Sequence, residues 1–140
     1  MKNRDPIRTA VYARRSDGLF SAMLLLAEDL QAYDAAVALL AVHGVISLND
    51  AVQVALTGKR SKHQNHAQTV SDLQGICRTN GIMSTGGIAH LRWLLSQKTA
   101  ISYGDRRYTD TALARDKAER FRTWAHSTFK EVLRDQERLD

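Results

Sequence analysis

The chain has 140 residues, 44% apolar and 25% charged, with one proline and one cysteine. Such a balance suits one soluble globular domain with a real core, and the scarcity of proline argues for helices over a turn-rich β-architecture. The lone Cys77 rules out an internal disulfide, while the net charge of +5 permits an anionic partner without requiring one.

The N-terminal residues 1–15 carry Lys2, Arg4, Arg8, Arg14 and Arg15 against Asp5 alone. With no apolar stretch they do not resemble a secretory leader, and they are expected to form a basic tail ordered only by a partner. The domain proper is expected over residues 16–140. Its first helix is predicted over about Ser16–His43, capped by Ser16 or Asp17 and ended by Gly44, with Phe20, Met23, Leu30 and Val37 among its apolar positions. This helix is acidic at Asp17, Glu28, Asp29 and Asp34, and apolar over most of its girth, so it should be central. A second helix is predicted from "SLND", where Ser47 and Asp50 resemble a capping box, to Gly58.

The third helix is predicted over about Asn65–Thr79, with Ala67, Val70, Leu73 and Cys77 inward and Gly81 just past its end. The fourth starts near Ser84 or Thr85 and ends around Gln97–Ile101, burying Ile88, Leu91, Leu94 and Leu95. The fifth starts at Thr109 or Asp110 and extends toward Arg138, with a stripe that includes Phe121, Trp124, Phe129 and Leu133. Short connections between helices point to an all-α, up-and-down four-helix bundle with one additional short helix. The longest apolar run, residues 35–46, is too short to span a bilayer, so the chain is expected to be cytoplasmic with no membrane partner.

The segment "GKRSKHQNHAQTV", residues 58–70, concentrates Lys59, Arg60, Lys62, His63 and His66. His63 and His66 have ligand-like spacing, but a zinc site needs three or four ligands and no Cys pair or nearby carboxylate completes one. No metal and no cofactor is therefore expected; Gly86–Gly87 fits neither a phosphate-binding loop nor a dinucleotide fingerprint. An Arg–His pair can serve a metal-independent ribonuclease, the His as acid or base and the Arg on phosphate charge. Arg60/His66 and Arg120/His126 share one such spacing, which chance supplies about once or twice in this composition.

Three features together resemble the HEPN group of small helical proteins. They are the long acidic helix "SDGLFSAMLLLAEDLQAYDAAVALLAVHG", the basic "KRSKHQNHAQTVSDL", and "LRWLLSQKTAISYGDRRYTDTALARDKAERFRTWAHSTFKEVL". The resemblance spans about Asp17–Leu133 and implies a usually dimeric bundle, acting as a ribonuclease of toxin–antitoxin or defence systems or as an inactive partner of a small nucleotidyltransferase. The group's catalytic Arg and His correspond to Lys98 and Tyr103 here. Lysine lacks the guanidinium fork, and a phenol with an ordinary pKa of about 10 is a poor base near neutrality. The expectation is thus a non-catalytic module that binds nucleotide or RNA, a protein partner, or both. Its candidate contacts are Lys98, Tyr103, Arg106, Arg107 and Tyr108, with Lys59, Arg60, His63 and His66 joining them if folding brings the two segments together. Lys98/Tyr103 and Arg60/His66 also remain candidate catalytic pairs, and an adaptor with no nucleic-acid role is the plainest alternative.

Overall fold

Asp5 begins the first helix. Its Oδ1 accepts a hydrogen bond from Arg8 N at 3.1 Å, and Pro6 occupies the first helical position, where its missing N–H is no loss. The structure, a computed structural model, describes residues 1–61, 65–83, 85–103 and 110–134, the side chains of Thr85 and Tyr103 apart. The described elements are α1 (Pro6–Leu26), a 3-10 turn (Ala27–Asp29), α2 (Leu30–Thr57), α3 (His66–Thr79), α4 (Thr85–Ser96), α5 (Lys98–Tyr103), α6 (Thr111–Thr128) and α7 (Lys130–Arg134). Among the described residues there is no strand, so the all-α expectation holds.

Two expectations are overturned near the N-terminus. Residues 1–15 are not a tail: most lie in α1, and the segment before it is fastened to the core. Arg4 N donates to Ala55 O at 2.7 Å. The buried Asn3 donates through Nδ2 to Val132 O at 3.1 Å and accepts from Asp5 N at 3.0 Å and Thr9 Oγ1 at 3.2 Å. The second correction concerns the helix break. It falls at 27–33, not at 44–47. Asp29 caps α2 by accepting from Ala32 N at 3.2 Å, and Tyr33 kinks the first turn with φ −120° and ψ 23°. Gly44 lies inside α2, where a Cβ would come within 3.1 Å of the Phe20 ring, so its small size serves the close crossing of α1 and α2. Ser47 and Asp50 are buried in α2 instead of capping a helix.

The remaining boundaries follow local chemistry. Gly58 ends α2 at φ 77°, a left-handed conformation that glycine adopts without strain. Asn65 caps α3 by accepting from Ala67 N at 2.9 Å, and Gly81 follows that helix at φ 67°. Asp110 accepts from Ala112 N at 2.9 Å and Leu113 N at 3.3 Å to start α6. The fourth and fifth predicted helices each divide in two, at Gln97 and at Phe129. The expected extension toward Arg138 lies outside the described residues.

Around α2 the other helices assemble. It packs chiefly on α1 and α6 and also meets α3, α4, α5 and α7, while α4 lies on α6 and α3 on α4. Phe20, Met23, Leu48, Leu73, Leu91, Leu94, Phe121 and Phe129 are the large, fully buried side chains. Against the expectation of a central first helix, Leu24, Leu25, Tyr33 and Leu39 are exposed, as is Leu113 of α6. The α1–α2 segment is apolar enough to cross a bilayer by composition, but 67% of its most apolar window is buried inside the protein, as befits a core helix.

Gly87 sets the distance between α4 and α6, since a Cβ there would lie 2.0 Å from the Trp124 ring. Gly87→Ala is expected to destabilise the fold by about 1–3 kcal/mol through overpacking, with recovery when Trp124 is also replaced by Leu. Urea unfolding of the two variants measures both effects. Asn3→Ala strands a buried carbonyl and a buried hydroxyl and should cost about 1–3 kcal/mol in the same assay, whereas a loose tail would show no change.

Candidate functional site

The C-terminal end of α2 gathers cations. A helix ends with unpaired carbonyls and partial negative charge, which favour nearby guanidinium and ammonium groups. Here Arg8 Nη1, from α1, donates to Gly58 O at 3.2 Å. Thr57 shapes the following turn, its Oγ1 donating to Gln53 O at 2.6 Å and accepting from Lys59 N at 3.2 Å. Lys59 and Arg60 therefore emerge on the side of the helix where Arg8 already sits. The three cations line a groove of about 710 Å³, together with Gln53, Thr57, Gly58, Ser61, Asp72 and Ile76. A smaller recess of about 350 Å³ shares Thr57 and Ile76 with it and adds Arg4. Among the described residues of its lining, Asp72 is the one carboxylate against Arg8, Lys59 and Arg60, which gives these residues a positive excess.

Behind the groove, Arg60 is held by a carboxylate and a ring. Its Nη1 lies 3.7 Å from Asp50 Oδ2, and its guanidinium stands 5.7 Å from the centre of the Tyr12 ring. Arg15 approaches the same ring at 5.4 Å. Both contacts are within cation–π range. Burial pushes the Asp50 carboxyl up to about 6, opposed by the charges of Arg60 and Arg15.

A second cluster joins three helices. His43 from α2, His66 at the start of α3 and Lys98 at the start of α5 are near enough that the lysine's charge acts on both imidazoles. Burial is the larger cause in each case, and both histidines are driven below their ordinary pKa. Neutral imidazoles beside an ammonium can accept or relay a proton and bind an anionic oxygen.

The expected pairs are thus rearranged. Arg60 faces Asp50 and Tyr12, while the charge acting on His66 is that of Lys98. Arg120 bonds Asp116 at 2.9 Å, and the charges acting on His126 are those of Asp17 and Arg122. Lys98 does lie beside part of the 58–70 segment, through His66. Tyr103 closes α5, and His63, Arg106, Arg107 and Tyr108 lie outside the described residues. Among the described residues no group of three His, Cys, Asp or Glu side chains is placed to hold a metal. Cys77 is buried, and burial raises its thiol pKa, opposite to what an activated nucleophile requires.

Arg8, Tyr12, Asp50 and His43 were not found by sequence reasoning. The first two lie in the segment expected to be a tail, Asp50 matches a capping pattern, and the charge acting on His43 comes from Lys98, far along the chain. The single available signal was Asp5-Pro6, a cap followed by proline that marks a helix start ten residues before Ser16.

Asp50 has a consequence for stability. With its folded pKa raised from 3.8 to about 6, the folded state keeps a proton that the unfolded chain has lost between those values. Its contribution is therefore most favourable at low pH and declines as pH rises through about 6. Asp50→Asn should gain stability relative to the parent by up to about 3 kcal/mol between pH 4 and pH 7, with the histidines cancelling in the difference. Paired denaturation curves across that range measure it, and a parallel pair of stability profiles would contradict the raised pKa.

No protein-family model, curated protein or solved structure matches this chain.

Proposed function

We propose that this protein is a non-catalytic, HEPN-like helical module that holds a phosphate-bearing ligand, single-stranded RNA or a nucleotide, in the groove at the end of α2. The observation that carries this reading is the convergence of Arg8, Lys59 and Arg60, from two separate segments, on one groove of about 710 Å³. Guanidinium groups present paired donors suited to phosphate oxygens, and a lysine adds a mobile point charge. Gln53 and Thr57 supply neutral polar groups in the same lining. A positive groove also raises the local concentration of a polyanion and speeds its encounter.

In this reading α1, α2, α4 and α6 are the four bundle helices and α3 is the added short one, supported by the packing of α1 on α2, α2 on α6 and α4 on α6. The module would act in the cytoplasm, and a small nucleotidyltransferase is the protein partner that the family resemblance suggests. A metal-independent endoribonuclease is the second reading, and one specific feature favours it. His43 and His66, both depressed below their ordinary pKa, share the field of Lys98. These supply a base and a cation without the family's Arg and His.

Fluorescence anisotropy with a labelled single-stranded oligoribonucleotide tests the proposal. The parent should bind with strong salt dependence. Arg8→Ala/Lys59→Ala/Arg60→Ala should weaken binding at least about tenfold and flatten the log–log salt slope by about 2, because each lost phosphate contact removes roughly 0.7 from it. The RNA should remain intact throughout. Absence of binding at low salt would point to an adaptor with no nucleic-acid role, and cleavage lost on His66→Ala would establish the ribonuclease instead.

A further inference from the structure

Arg60 belongs to two environments at once. It lines the groove at the end of α2, and its Nη1 stands 3.7 Å from Oδ2 of the buried Asp50. At that distance the two charges act on each other without a direct hydrogen bond, since N–H···O bonds close at about 2.7–3.2 Å. The Arg60 side chain is 47% exposed, so its head can turn into the groove without leaving a buried place. Asp50 cannot follow it. Its side chain is 11% exposed, on a stretch of α2 where every residue from Ser47 to Ala55 is buried. An exposed cation is thus tethered to a fixed, buried anion.

Few groups face Asp50. Arg60 and, more weakly, Arg15 of α1 supply the positive charges that act on it. Tyr12 of α1 carries both guanidinium groups near its ring, Arg15 at 5.4 Å and Arg60 at 5.7 Å. On α2 itself, Asn49 and Gln53 bond each other at 3.3 Å and bear no charge. The other charged groups of the groove lining are Arg8, Lys59 and Asp72. Among the described residues no histidine acts on Asp50. Burial disfavours its ionised form more than the two arginines favour it, which holds the carboxyl at about 6 in place of 3.8. Drawing Arg60 away withdraws the larger favourable charge and moves it higher still.

We propose that Asp50 competes with the groove's ligand for Arg60, so that a phosphate-bearing ligand gains the whole guanidinium only by drawing it off Asp50, and a proton then takes its place on the carboxyl. This inference rests on the ligand reading given above and adds the regulation of that site. A phosphate in the groove offers Arg60 short, paired, charge-assisted bonds, which a carboxylate at 3.7 Å does not. Arg15 keeps its place over Tyr12, so one cation stays behind with Asp50. A carboxyl that binds its proton more tightly in the complex than in the free protein strengthens the complex as pH falls. Binding is therefore weakest above neutrality, where ionised Asp50 retains Arg60, and grows stronger as pH falls toward 6.

Titration of the full chain against a labelled oligouridylate without a terminal phosphate tests this, because such a probe has no group that titrates in the range used. The parent should bind at least about threefold more tightly at about pH 5.5 than at about pH 7.5. Asp50→Asn should tighten binding at least about threefold at about pH 7.5 and leave it unchanged at about pH 5.5, with the histidines cancelling in the comparison. Asp72→Asn removes a carboxylate from the groove lining and should tighten binding equally at both values. In an Arg60→Gln background, Asp50→Asn should lose its pH-dependent gain, the mark of two residues acting as a pair. Calorimetry of the same titration near neutral pH, in two buffers of different ionisation enthalpy, should show proton uptake by the parent and less by Asp50→Asn. Melting curves at both pH values establish that each variant is folded. Equal tightening by Asp50→Asn at both values, a pH-dependent gain that survives Arg60→Gln, or binding without proton uptake would overturn the inference and leave the ligand reading standing. Absence of binding at both values would overturn the two together.

Discussion

From Ser47 to Ala55 every residue of α2 is buried, so this stretch of helix has no solvent face. A helix in that position must be wrapped on all sides, and the rest of the structure is the wrapping. α1 covers one flank, α6 and α7 another, and α3, α4 and α5 meet what remains. The residues before α1 complete the enclosure by bonding Ala55 and Val132. Fully burying a side chain such as Leu48 contributes roughly 1.5–3 kcal/mol, and a run of them secures the core against the entropy of ordering so many helices. The polar members of the run need partners. Gln53 Nε2 donates to Asn49 Oδ1 at 3.3 Å, and Asp50 meets Arg60.

The groove follows from that enclosure. Because α2 must end somewhere accessible, its terminal carbonyls and partial negative charge appear at Gly58, and Arg8 is drawn to them. The turn that Gly58 permits then releases Lys59 and Arg60 beside Arg8. Asp50 offsets part of this charge at the back of the site, and its burial leaves Arg60 tied to a carboxylate that is itself easily protonated. A concentration of positive charge at one end of the central helix is thus a product of the packing. Further along, the same helix contributes His43 to the cluster shared with Lys98 and His66.

Particular residues show where sequence reasoning succeeds and where it stops. Gly58, Asn65, Gly81 and Asp110 mark real helix ends, because capping and left-handed turns are local chemistry visible in a few residues. Gly44 looked like the same signal and is not, because its smallness answers to Phe20, more than twenty residues away. Ser47 and Asp50 match a capping pattern equally well, yet the surrounding apolar residues are worth more buried in a continuous helix than a cap is worth to a new one. Asp29, in contrast, is a cap within an acidic, leucine-rich stretch that gave no contrast in periodicity. The site suffered from the same errors: with α1 taken for a tail, Arg8 and Tyr12 had no place in it.

By itself, the sequence determined that the chain is helical, that its core is built of Leu, Val, Ala and Phe at helical spacing, and that cations collect around residues 59–60. Those properties depend on side chains within a turn or two of one another. Tertiary structure alone decided which helix is central, that Arg8 joins Lys59 and Arg60, that Asp50 is buried under Arg60, and that His43, His66 and Lys98 share a field. Each of those depends on contacts between distant segments, and such contacts are selected by the packing of whole helix faces, which no local pattern encodes.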